Sequence, residues 1–120
     1  MQDRTLELAR DLGRLVGQTD EYQALQRARE RVGNDREVVG MINRLGELEQ
    51  EVGQSLQRGE APPESIREEY DEAVSKLQAS ATYQGLVAAQ ANFDKVLARV
   101  NEEIGKGMEA AAQSRIILPS

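Results

Sequence analysis

Apolar residues recur along most of this chain at alternating three- and four-residue steps, and no stretch alternates with a period of two. That pattern predicts helices and no strands. The longest run is Tyr83, Leu86, Gln90, Phe93, Leu97, Val100, Ile104, Gly107 and Ala111, a heptad seam of the kind that lays one helix along another. A helix over 82–113 would be roughly 45 Å long at ~1.5 Å per residue. A compact domain of this length has a radius of gyration of about 14 Å, so a globule roughly 35 Å across would leave part of that helix uncovered. The seam therefore predicts a second chain beside it. The expected architecture is all-α: a single domain, 1–120, forming a bundle of about five helices whose long C-terminal helix is a dimerisation seam.

Four shorter helices are expected before it, over 3–17, 20–32, 35–58 and 63–79. The first carries Thr5, Leu8, Ala9, Leu12, Leu15 and Val16 on one stripe, and Thr19 is placed to cap the second. The second gathers Tyr22, Leu25, Ala28 and Val32, with Gly33 suited to a C-terminal cap. The third starts at Asn34 or Asp35, where Asn34 and Glu37 have the spacing of a capping box, and its stripe runs Val38, Met41, Ile42, Leu45, Leu48, Val52, Leu56. Pro62 closes it, and Pro63 suits the first turn of the fourth, where its missing N–H is not needed. Ile66, Tyr70, Ala73, Val74 and Leu77 form the fourth helix's inward face, and Ser80 or Thr82 caps the last helix. Short loops favour antiparallel neighbours in sequence, so helices three and four read as a hairpin. The apolar tail, 116–120, either packs back onto a groove or frays, and packing is the favoured expectation.

Composition narrows the chemistry. The chain has no cysteine and no histidine. This removes disulfides, Cys/His zinc sites, thiolate-held Fe–S clusters and a histidine general base from consideration, and no cofactor is expected. A net charge of −6 argues against direct nucleic-acid binding. No apolar stretch is long enough to span a bilayer and no leader pattern opens the chain, so a cytoplasmic location without membrane attachment is expected.

Four features invite a sharper reading. Glu64, Glu68, Asp71 and Glu72 gather carboxylates on one helical face. Without the histidines of a di-iron bundle they read as a solvated acidic face before a weak cation site. Arg27, Arg29, Arg31 and Arg36 form the concentrated basic stretch, interleaved with Glu30 and Asp35 and with no aromatic residue, which favours a balanced surface over a phosphate or base-stacking site. Gln90 either fixes register across the seam or bonds a carbonyl of its own chain at a helix crossing. Gly105 and Gly107 either allow another helix to approach or mark where the last helix frays.

Two stretches resemble a known family. The run from Thr19 through Tyr22, Leu25, Ala28, Val32 and Asp35 to Val38 resembles the opening of the YlbF/YmcA/YheA family of small bacterial helical proteins. The run from Tyr83 to Gln90, continuing through Phe93, Leu97, Val100, Asn101 and Ile104, is similar to that family's C-terminal helix. The resemblance implies an oligomeric, non-enzymatic regulator. Members with known roles act in competence, sporulation and biofilm development, and some join YaaT in a complex that binds RNase Y and influences mRNA processing. Some relatives carry cysteines linked to Fe–S clusters; this chain has none and sits closer to the cysteine-free, YheA-like branch. Tyr22, Leu25, Ala28 and Asp35 match the family's N-terminal motif as packing and capping residues.

The leading expectation is an adaptor that forms a homo-oligomer, dimer or higher, through Tyr83, Leu86, Gln90, Phe93, Leu97, Val100 and Ile104, and offers a helical surface to a protein partner. The alternatives are a cofactor-free helical enzyme of chorismate-mutase-like type, with Gln90 and Arg99 facing a small dianion, a general helical structural protein, or a direct RNA binder.

Overall fold

Five helices follow one another in the computed structural model, which describes residues 2–117 and their side chains as far as residue 114. They are α1 (Asp3–Gly17), α2 (Asp20–Asn34), α3 (Arg36–Gln57), α4 (Glu64–Gln78) and α5 (Ala81–Ile117). No strand occurs among the described residues, and none of these helices is long and apolar enough to cross a membrane.

Short polar side chains set three of the starts. Thr19 Oγ1 accepts from the Tyr22 N–H at 3.2 Å and opens α2. Asp35 Oδ1 accepts from the Val38 N–H at 3.2 Å and opens α3, and Ser80 Oγ does the same for Tyr83 and α5. Each satisfies a donor that the first helical turn leaves unpaired.

Three expectations are corrected here. Asn34 belongs to the end of α2, so the Asn34–Glu37 capping box does not form. Gly33 lies within α2 with negative φ and caps nothing, because Asp35 alone separates the two helices. Pro63 is the residue before α4, with φ −56 and ψ 145, and not its first helical residue.

The hairpin turn is built by a left-handed glycine. Gly59, at φ 73, is the positive-φ residue among those described. Its N–H donates to the Leu56 carbonyl at 3.0 Å, and the Glu60 N–H donates to the Ser55 carbonyl at 3.0 Å. This is the Schellman pattern, in which the carbonyls of the last turn are satisfied as the chain reverses.

The contacts divide the chain into two units, residues 25–88 and residues 1–24 with 89–120. In the first, α3 and α4 pack as the hairpin expected from the short loop. Leu25, Val38 and Leu48 are essentially inaccessible to solvent. Val32, Val38 and Leu77 form a cluster against which Met41, Ile42, Leu45, Tyr83 and Leu86 pack. Burying a leucine such as Leu48 contributes about 2–3 kcal/mol.

Arg44 ties the hairpin together on its wet side, donating to Glu69 at 2.8 Å and to Glu47 at 2.9 Å. The hydrogen bonds it donates to Glu47 and Glu69 raise its pKa above the ordinary guanidinium value. All three side chains are at least two-fifths exposed, so solvent screens the pairs and they add little to stability.

The second unit lacks a comparable interior. α1 contains no buried residue, and none occurs among the described residues of 89–120. Its defined contact is the edge-to-face pair of Tyr22 and Phe93, with ring centroids 5.2 Å apart. α5 runs on to Ile117, past the expected end at Gln113, and Gly105 and Gly107 interrupt it nowhere. A Cβ placed on either glycine would meet nothing within 4 Å, so none of the described residues approaches closely there. Whether the 116–120 tail packs back is a question that falls outside the described side chains.

Candidate protein-interaction surface

The seam residues separate into two groups along α5. Tyr83 and Leu86 are half-buried against the core of residues 25–88. Phe93 is half-buried on Tyr22. Farther on, Leu97 is 39% exposed and Ile104 46%, with half-buried Val100 between them on the same stripe. Met108, four residues beyond Ile104, is 67% exposed. The expected seam steps from Ile104 to Gly107; a four-residue step to Met108 fits the same spacing and keeps the stripe apolar.

α1 adds a second open stripe. Leu8 and Leu15, seven residues apart, are each at least half exposed, and Leu6 is nearly so. The spacing placed Leu8, Leu12 and Leu15 on one face but did not reveal that the face is open. Leu12, half-buried, lines a shallow trough with Arg99, Val100, Glu103 and Ile104 of α5. On another side Arg99 shares a trough with Lys95, Asp20 and Glu21. In both troughs the cations stand among carboxylates, an arrangement unlike the convergent positive pocket a chorismate-mutase-like site requires.

Within this chain Gln90 bonds a side chain and not a backbone carbonyl. Its amide donates to Asp94 Oδ1 at 3.0 Å, one turn along the same helix. The four family-motif residues sit as follows: Leu25 and Ala28 are buried, Tyr22 is half-buried against Phe93, and Asp35 caps α3.

The two charged clusters are surface features. Arg27, Arg29, Arg31 and Arg36 are all exposed. Arg36 shares a shallow groove with Arg44 and Lys76 and with Glu37, Glu69 and Glu72. In the acidic cluster, Glu72 pairs with Lys76 at 3.0 Å. Among the described residues no three acidic side chains gather closely enough to hold a metal ion.

Comparison with known proteins agrees with this helical arrangement. The chain is 26% identical over 101 residues to a UPF0342 protein of Staphylococcus saprophyticus, covering 84% of this chain and 89% of that one. Its fold is similar to a chain of the crystal structure of Bacillus subtilis RicA in complex with RicF, with a TM-score of 0.77 at 17% identity over 93% of this chain and 99% of that one. It is also similar to a protein of unknown function (DUF964) from Bacillus stearothermophilus, with a TM-score of 0.66 at 22% identity over 93% and 98% of the two chains. The profile of the YlbF/YmcA family, described by its control of the competence regulator ComK, matches residues 5–109. The chain thus belongs to the YlbF/YmcA family of competence regulators.

Proposed function

We propose that this protein is a non-enzymatic regulatory adaptor that self-associates through residues 1–24 and 89–120 and binds a protein partner. The observation that carries the reading is a unit with regular apolar stripes and no buried residue among those described. Leu97, Val100 and Ile104, with Met108 and the α1 leucines Leu8 and Leu15, form the associating face. Phe93 braces it from within through Tyr22. Tyr83 and Leu86 support it only indirectly, as core residues, and Gln90 contributes a polar edge closed onto Asp94.

An exposed apolar stripe at heptad spacing is stabilised by a second helix, because packing removes it from water without leaving backbone groups unpaired. That the similar chain comes from a complex of two proteins, RicA with RicF, supports the same use of the fold here. Within the family's control of competence, the finer roles proposed are modulation of RNase Y-dependent mRNA processing and of sporulation and biofilm programmes. A cytoplasmic site of action goes with that role.

The test is sedimentation velocity over a concentration series into the micromolar range. Association that strengthens with concentration is expected. A compact monomer throughout, together with no specific partner recovered on the wild-type chain but lost on Leu97→Asp, would overturn the proposal.

A further inference from the structure

The α3–α4 hairpin carries another apolar surface, in a different unit from the face described above. Leu56, in the last turn of α3, is 63% exposed although its neighbours on the same stripe are covered. One turn before it, Val52 lines an open groove with Pro62 and Tyr70, and Glu49, Arg67 and Asp71 complete the wall. The groove is apolar at its floor and charged at its rim.

The groove's own lining sets Glu49 and Asp71 against Arg67, and the stretch of chain that supplies it is more acidic still. Residues 49–71 hold seven carboxylates against two arginines, so most of the chain's net charge of −6 is concentrated here. Arg58, one of those two arginines, lies 3.7 Å from Glu60. Glu69 is turned to Arg44, while Glu49 and Asp71 stand beside Val52 and half-buried Tyr70 in the groove.

We infer that this groove docks a basic amphipathic segment of another protein, with an apolar side chain seated against Val52 and Leu56 and lysine or arginine side chains facing the rim. Charge complementarity selects this occupant. A second copy of the chain fits poorly, because it brings the same net charge. Its own arginine-rich stretch offers no free anchor either, since Leu25, Ala28 and Val32 beside those arginines are buried.

The experiment measures binding of the full chain to a designed helical leucine–lysine peptide of about 18 residues, five helical turns, beside the same peptide with glutamate in place of lysine. The lysine peptide binds and the glutamate peptide does not. Leu56→Ala weakens binding by about fivefold, and Glu49→Lys with Asp71→Lys by about tenfold or more. The same charge change made elsewhere, Glu30→Lys with Glu109→Lys, alters binding by less than about twofold. Circular dichroism confirms that each variant keeps its helices. Equal weakening by both charge pairs would reduce the effect to diffuse attraction and overturn the inference. So would wild-type binding by the hairpin variants, or loss of self-association in Leu56→Asp without any peptide binding. Because Leu56 lies outside the proposed associating face, failure of that face leaves these outcomes unchanged.

Discussion

Residues 25–88 contain every buried side chain among the described residues, whereas residues 1–24 and 89–120 contain none, although both regions carry apolar residues at helical spacing. Leu48 and Leu15 illustrate the difference. Both sit on amphipathic stripes; one is fully covered and the other is 58% exposed. A stripe states that a helix has a face to cover. What covers it depends on which other helices the chain can bring there. α3 has α4 beside it, returned by a Schellman turn at Gly59, while α1 and the later part of α5 have no such return.

If residues 25–88 are the self-sufficient part, their core is where substitution does most damage. Leu48→Ala is expected to lower the unfolding free energy by about 3 kcal/mol, by lost burial and a residual cavity, as measured by urea denaturation. A loss below about 1 kcal/mol would mean that the core is looser than its burial implies.

The converse applies to the open face. Leu97→Asp combined with Ile104→Asp is expected to weaken self-association by about a hundredfold, close to 2.7 kcal/mol. Unfolding measured at high dilution should shift by less than about 0.5 kcal/mol, since both sites already touch water. An unchanged association constant would remove the contrast between the regions. A large loss of stability at dilution would show that the face is internal after all.

Two smaller effects test how the hairpin and its cap sustain the core. Gly59→Ala meets no neighbouring atom, so its expected cost of about 1.5 kcal/mol comes from left-handed backbone strain alone. Asp35→Ala removes the α3 cap and is expected to cost about 1 kcal/mol in the same denaturation experiment. Asp35→Asn should restore most of that loss, because asparagine also accepts at an N-cap.

Much of the fold was legible. All five helix starts fall within one residue of those expected, four of them because Thr19, Asp35, Pro62 and Ser80 act through local geometry. The errors were local competitions. Gly33 looks like a terminator, but the helix runs through it until Asp35 offers a better cap. α5 runs past its expected end at Gln113 to Ile117, and Gly105 and Gly107 do not mark where it frays, because a glycine costs a helix only about 1 kcal/mol. On the candidate site, the seam's spacing was legible, but its division into a covered part at Tyr83 and Leu86 and an open part from Leu97 to Met108 was not.

The sequence by itself determined that this protein is helical, where its turns fall, and that it carries no cysteine or histidine chemistry. These follow from periodicity, capping and composition, which act over a few residues. Tertiary structure alone decided which stripes become core and which face outward, and that Leu56 stands open while Leu48 is sealed. Burial is a property of neighbours distant along the chain, and two leucines with the same local pattern differ only in whether such a neighbour arrives.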